Sequence, residues 1–267
     1  MKSSYNIPVE LCRHVLKEKL FTELTAYVAL QINSDGILRC IETMRILAKA
    51  KGLKSTKSRK ACFNELIRMG WMGYDAKNKI VYLRNIKSIT PQLDFNFYKV
   101  VPFSSEHINH VKSFVYSVVL SEKLQQQRSA IFLKTRNESA TKKARVAQQT
   151  SYAGIGKHGL ASLFKCSTGE AVKLKNRFVK DGFITTQKRY KKIHTLKQAD
   201  MNLKQYLSVA FPQKSDKLSF ARNNNGGVDI IQQLHDEMKS NLVLKKRKFM
   251  FEGIKKLSAA RPLSTCF

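Results

Sequence analysis

The sequence predicts a mainly α fold with small β-hairpins, arranged as two tandem domains followed by a helical C-terminal extension. Three observations predict it. Apolar residues recur at helical spacing in both halves of the chain. One block of sequence occurs twice at a constant offset. Each copy of that block leads into two short apolar runs separated by a lysine-rich turn.

In the first half, Pro8 to Asn33 reads as one helix, with Leu11, Val15, Leu20, Leu24, Tyr27, Val28 and Ile32 near helical spacing. Ser34-Asp35-Gly36 breaks it. Ile41 to Lys51 is a second helix, with Met44, Leu47 and Ala48 on one face and Gly52 beyond its end. Ser55-Thr56 caps a third, which runs to about Met69 and stops at Gly70. Trp71 to Tyr74 and Ile80 to Leu83 flank the polar turn Asp75-Ala76-Lys77-Asn78-Lys79, the pattern of a β-hairpin. Residues 1–90 thus form the first domain, and 91–104 read as a linker.

The second domain, 105–196, repeats the order. Ser105 to Gln127 is a long helix with Ile108, Val111, Val115, Val118, Val119 and Leu124 apolar. Residues 128–150 carry Lys134, Arg136, Lys142, Lys143 and Arg145 against Glu138, the composition of a basic, solvated, mobile insertion. His158 to Lys165 is a short helix, and Ser167-Thr168 caps another that Gly182 ends. Phe183 to Gln187 and Ile193 to Leu196 are strands flanking Lys188-Arg189-Tyr190-Lys191-Lys192.

The two halves align without gaps at an offset of 112 (55 onto 167) through cap, core, helix stop and first strand. Ser55-Thr56 falls on Ser167-Thr168, Asn64 on Asn176, Leu66-Ile67 on Phe178-Val179, Gly70 on Gly182 and Trp71-Met72 on Phe183-Ile184. This is an internal repeat of about 20 residues. Beyond it, residues 197–267 differ. Asn223 to Gly227 is a turn or linker. Val228 to Leu242 reads as an amphipathic helix with Ile230, Ile231, Leu234 and Met238 on one face, a surface for a protein partner, for self-association or for packing on the core. Leu244 to Leu257 continues it with Lys245, Lys246, Arg247, Lys248, Lys255 and Lys256.

Charge narrows the partner. The 267 residues hold 49 Lys and Arg against 19 Asp and Glu, a formal net charge of +30. Such self-repulsion is relieved by a polyanion. Nucleic acid is the commonest, through phosphate neutralisation and counterion release. No apolar run approaches the roughly 18 residues of a membrane span, and Met1 to Pro8 lacks the apolar core of a signal peptide. Five cysteines at wide spacing, without a C-x-x-C, fit neither a disulfide framework nor a Cys-rich zinc site. A reducing, cytoplasmic setting follows.

The order helix, helix, capped helix, basic hairpin resembles the winged-helix DNA-binding superfamily. The capped third helices, the Gly70-Trp71-Met72 and Gly182-Phe183-Ile184 that follow them, and the basic hairpins carry the resemblance over about 140 residues in two blocks. It implies two tandem winged helices and a contact with double-stranded DNA. The layout is also similar to that of plasmid replication initiators.

A recognition helix offers its N-terminal residues to base edges in the major groove while others hold phosphates. In the first domain the core face is Cys62, Phe63, Leu66 and Ile67. The opposite face presents Lys57, Ser58, Arg59, Lys60 and Asn64, with Ser55 and Thr56 at the cap. In the second the core is Val172, Phe178 and Val179, and the outer face offers Lys173, Lys175, Asn176, Arg177 and Lys180. Arg and Lys suit guanine O6 and N7, and Asn suits adenine. Asn64 and Asn176 either contact adenine or bond to the preceding turn. In the hairpins, Lys188, Arg189, Lys191 and Lys192 form the stronger set and Lys77 with Lys79 the weaker. These meet the minor groove or the backbone, which positions a protein without specifying sequence.

Other constellations point elsewhere less well. Gly154-Ile155-Gly156-Lys157-His158-Gly159 lacks phosphate-loop spacing and is a flexible lead into a helix. His107 and His110 share a helix face with Glu106, but no further ligand lies near in sequence for zinc. Asp75, Asp94, Asp229, Asp236 and Glu237 are scattered, so no paired carboxylates of a two-metal nuclease occur. The expectation is a non-enzymatic, cofactor-free, sequence-specific duplex DNA binder, possessing the layout of a replication initiator of a plasmid, phage or mobile element. The alternatives are a transcriptional regulator and a non-specific DNA- or RNA-binding structural protein.

Overall fold

The computed structural model describes residues 4–50, 52–89, 99–134, 152–196, 209–210, 218–222, 227–234 and 236–246. The chain mixes helices with small antiparallel sheets and divides into two units. One covers Met1–Ser105 and takes in the strand Lys245–Lys246. The other covers Glu106–Val243.

In the first unit, strand β1 (Ser4–Pro8) leads into helices α1 (Val9–Glu18) and α2 (Phe21–Asn33). The single helix expected over 8–33 is broken because Lys19 turns left-handed at φ 61° and closes α1. The break lets two apolar surfaces reach one core. Leu11, Cys12 and Val15 come from α1, and α2 is buried from Leu24 to Ile32. Polar atoms inside α2 are satisfied: the Tyr27 hydroxyl and the Gln31 amide both donate to the Arg84 carbonyl, at 2.6 and 3.0 Å.

Gly36, at φ 106°, turns the chain into β2 (Ile37–Arg39). Helices α3 (Cys40–Lys49) and α4 (Thr56–Arg68) follow, then β3 (Met72–Asp75) and β4 (Ile80–Leu83). The last strand lies in the middle, giving the antiparallel order β2-β4-β3. Trp71 is buried behind it, edge-on to Tyr27 with ring centroids 5.3 Å apart. A short helix, α5 (Ile86–Ile89), comes next. The stretch read as a linker ends in strand β5 (Lys99–Ser104), which pairs with β1 from Ser4↔Ser104 to Pro8↔Val100. Ile7, Val101 and Phe103 are buried there.

The second unit begins at Glu106, within the 3-10 turn Ser105–His110, and continues into helix α6 (Val111–Lys134). The helix extends past Gln127, so 128–134 are helical rather than part of an insertion. Apolar Ile131 and Phe132 keep the helical pattern going. The expected mobile stretch otherwise lies outside the described residues. Strand β6 (Ala153–Gly154), α7 (Lys157–Phe164), α8 (Thr168–Lys180) and β7 (Ile184–Gln187) follow.

The expected hairpin between Phe183 and Leu196 does not form. Its turn, Lys188 to Lys192, holds no Gly, Asn, Asp or Pro to reverse the chain. Instead the chain runs on as β8 (Tyr190–Leu196). Three strands follow: β9 (Leu218–Arg222), β10 (Val228–Gln233), which pairs with β8, and β11 (Glu237–Ser240), which pairs with β7. Residues 228–233 and 237–240 are thus extended, not the amphipathic helix expected over 228–242. Val228, Ile230 and Ile231 are β-branched, and Val228 and Ile230 alternate into a core as a strand requires. The basic helix expected to continue the chain begins instead with a strand, β12 (Lys245–Lys246), beside β5. Its remainder lies outside the described residues.

The returning strands build a long ribbon. Ladder β7–β11 runs from Ile184↔Ser240 to Gln187↔Glu237. The Leu234 amide donates to the Arg189 carbonyl at 2.8 Å, and ladder β8–β10 continues from Tyr190↔Gln233 to Leu196↔Val228. One residue slips between Ile230 and Ile231. At about 3.3 Å per residue, 184–196 span roughly 40 Å. Near the tip, β9 flanks β10, and Leu218 and Ile230 form a small core with Leu196 and Phe220. At the base, β11 lies between β6 and β7, the middle place that β4 holds in the first unit.

Candidate nucleic-acid interface

Helices α4 and α8 present most of the candidate residues, and the same local devices hold both. Ser55 Oγ accepts from the Ser58 amide at 3.0 Å, and Ser167 Oγ from the Glu170 amide at 3.2 Å. Each helix is 13 residues long. Each ends in a left-handed glycine, Gly70 at φ 67° and Gly182 at φ 75°. Beyond each glycine an amide returns to the last turn, Trp71 to the Leu66 carbonyl at 2.9 Å and Phe183 to that of Phe178 at 3.0 Å. The repeat at an offset of 112 therefore extends to individual hydrogen bonds.

On α4, Cys62, Phe63 and Leu66 are buried and Ile67 is half-buried. Ser55, Thr56, Lys57, Lys60 and Asn64 are exposed. Arg59 is half-buried and donates to Thr56 Oγ1 at 3.0 Å. No acidic residue enters the first turn, so the lysines add to the positive end of the helix dipole. Further along, Glu65 is taken by Arg68, whose hydrogen bonds hold its carboxyl below the usual range.

The turn between β3 and β4 displays Lys77 and Lys79, both exposed. Asp75 accepts from the Lys77 and Asn78 amides and from the Asn78 side chain, at 3.0, 3.2 and 2.7 Å. Those bonds, the Asn78 side chain's first, hold its carboxyl below the ordinary value. Its charge serves the turn and leaves the lysines outward. Lys79 takes a positive φ of 53°, and its carbonyl receives the Cys40 amide at 2.9 Å.

On α8 the core register differs from the sequence reading. Val172 and Val179 are 36% and 39% exposed, while Ala171, Leu174 and Phe178 are buried. Positions 171, 174 and 178 follow helical spacing, and the small Ala171 lies in the core where the larger valines do not. Lys173, Asn176, Arg177 and Lys180 are exposed, and Lys175 is half-buried against Asp236 at 2.5 Å. Asp181 lies at the helix end, its side chain 7% exposed, 3.0 Å from His110 and 3.9 Å from Arg177. Asn64 and Asn176 occupy matching exposed places, and neither amide bonds to a described residue. The alternative of a bond to the preceding turn is not realised among those residues.

The ribbon separates its cations into two kinds. Lys188, Arg189, Lys191 and Lys192 are all exposed. Arg189 is held by Glu237 at 2.9 Å, and Gln187 donates to the same carboxylate. Lys192 is held at 2.9 Å by Asp229, which also accepts from Thr195. Lys188 and Lys191 have no ion pair among the described residues. The set expected to be the stronger is thus half neutralised by Asp229 and Glu237, carboxylates that look scattered in the sequence. No local signal announces these pairs, because a ladder brings the partners together.

The remaining candidates separate. His107 stacks on Phe114 and meets Phe183 edge-on, with centroids 5.4 and 5.3 Å away, and burial lowers its pKa. His110 turns to Asp181 instead. Among the described residues no three His, Cys, Asp or Glu gather as a metal site. Gly154 lies in β6 and Gly156 precedes α7. A Cβ on Gly159 would stand 3.0 Å from the Ile155 side chain, so that glycine serves packing. Among the described residues no helix is long and apolar enough to cross a membrane. Compared with protein-family models, curated proteins and solved structures, the chain matches none.

Proposed function

We propose that each unit is a winged helix and that the protein is a sequence-specific binder of double-stranded DNA, acting without catalysis in a reducing, cytoplasmic setting. One observation carries this: two helices, α4 and α8, share length, cap, glycine stop and following strand, and both turn cations and an asparagine to solvent. A helix of this kind fits the major groove, where Asn recognises adenine and Lys or Arg recognises guanine. The strand orders β2-β4-β3 and β6-β11-β7 supply a scaffold behind each helix. The net charge of +30 supplies the long-range attraction.

The narrower role we propose is initiation of replication on a plasmid, phage or mobile element. The first turns of the helices differ, with Lys57-Ser58-Arg59-Lys60 aligned on Gly169-Glu170-Ala171-Val172. Two unlike readers in one chain call for a non-palindromic site of about two helical turns, whereas a two-fold dimer wants a palindrome. Selection from random duplexes, followed by footprinting on the origin and promoter regions of the source replicon, tests both statements. Direct repeats of a non-palindromic site within an origin are expected. A short palindrome, or binding without base preference, defeats the tandem-reader role.

A further inference from the structure

We infer that Glu170 is a base-reading residue of the second unit, one that selects an exocyclic amino group in the major groove; this rests on the DNA-binding function proposed above. Glu170 is exposed in the first turn of α8 and is the only carboxylate on that helix. Lys173 and Arg177, three and seven positions on, lie on its side of the helix, beside the buried stripe of Ala171, Leu174 and Phe178. Among the described residues its carboxylate makes no ion pair, although Lys175, Arg189 and Lys192 are each held by a carboxylate. The chain neutralises its cations in this unit from Asp236, Glu237 and Asp229, while Glu170, whose charge is felt by Tyr116 and Cys166, takes no cation among the described residues.

The matching position in the first unit sharpens the point. Ser58 stands where the repeat places Glu170, and its hydroxyl turns back onto the Ser55 carbonyl at 2.8 Å. Lysines flank it on one side and follow it two positions later. At one place in the repeat, one unit thus presents a serine among cations and the other a carboxylate. A carboxylate brought between phosphates is repelled unless a donor meets it. In the major groove that donor is the amino group of cytosine N4 or adenine N6, and a carboxylate suits cytosine. The cations behind Glu170 meet phosphates and hold it in register.

The test uses the full chain with Glu170→Ala and Glu170→Gln. Neither change removes the helix cap, because Ser167 bonds to the backbone amide of residue 170. A duplex selected by the wild-type protein is altered one base pair at a time and affinity is measured by anisotropy. The wild-type protein is expected to lose about tenfold when one amino-bearing base is replaced. Cytosine-to-thymine and adenine-to-guanine changes tell the two sources apart. Glu170→Ala should level that position and leave the others, and Glu170→Gln should shift the preference toward adenine. If both variants keep the wild-type preference at every position, the assignment falls while sequence-specific binding stands. A Glu170 that only steadies the helix dipole would move the melting temperature and no base preference, and that also overturns it. A wild-type protein without base preference overturns both this assignment and the proposed function.

Discussion

Arg189 and Glu237 lie 48 positions apart in the chain and 2.9 Å apart in space, on the two sides of the ribbon in the second unit. Arg189 is more than half exposed, so water screens the pair and it contributes about 1 kcal/mol or less to stability. Its larger effect falls on the cation, which must leave Glu237 to meet a phosphate. Glu237→Gln is therefore expected to leave the melting temperature almost unchanged and to tighten duplex binding at low salt. The gain should shrink as salt rises. Anisotropy titrations at two salt concentrations check this, and unchanged affinity at both would place Arg189 outside the interface.

Phe178 and Val179 test the register of α8. Phe178 is fully buried, with rings of Phe164 and Tyr116 at 5.9 and 6.1 Å, whereas Val179 is 39% exposed. Phe178→Ala should cost about 3–5 kcal/mol. Val179→Ala should cost under about 1 kcal/mol, as surface changes usually do. Urea unfolding of the two variants measures both, and equal losses would contradict the observed register.

Arg59 and the Lys77–Lys79 turn separate specifying from positioning contacts in the first unit. Arg59→Ala should cost about 1–3 kcal/mol on the preferred site and relax one base position. Lys77→Ala with Lys79→Ala should weaken all sequences alike and reduce the salt slope by about two. Titrations of specific and scrambled duplexes across a salt series distinguish the outcomes. Base-dependent losses in the lysine variant would assign the turn to readout.

His107 makes the stability of the second unit depend on pH. Burial against Phe114 and Phe183 lowers its pKa, with Glu106 opposing the shift and His110 adding to it. The unfolded chain then binds its proton first. The neutral ring's contribution is complete above the ordinary histidine value of about 6.5 and is lost as pH falls below it. Melts between pH 7.5 and 5.5 should show this decline, and His107→Phe should flatten part of it. His14 in the first unit, also lowered by burial, acts in the same direction. An unchanged slope in His107→Phe would remove His107 as a cause.

Much of both candidate helices was legible in the sequence because their determinants are local. Ser55 and Ser167 cap within three residues, Gly70 and Gly182 stop the helices they follow, and Asp75 with Asn78 closes a turn within four. The exposed Lys57, Asn64, Lys173 and Asn176 follow from helical spacing once the core face is known. On α8 Phe178 is buried as its spacing predicts, but Ala171 and Leu174 complete the core in place of Val172 and Val179.

The ribbon was decided by tertiary structure. Val228 to Leu242 fits helical spacing at Ile230, Leu234 and Met238, yet 228–233 and 237–240 are strands, because the unpaired edge of 184–196 supplies the hydrogen bonds they need. The neutralisation of Arg189 and Lys192 follows from that pairing, since Glu237 and Asp229 reach them only across the ladder. Caps, stops and turns arise from energies within one or two turns of chain, so the sequence alone determined them. Which strand meets which, and therefore which cations remain free, depends on contacts between segments tens of residues apart, and only the folded chain selects among them.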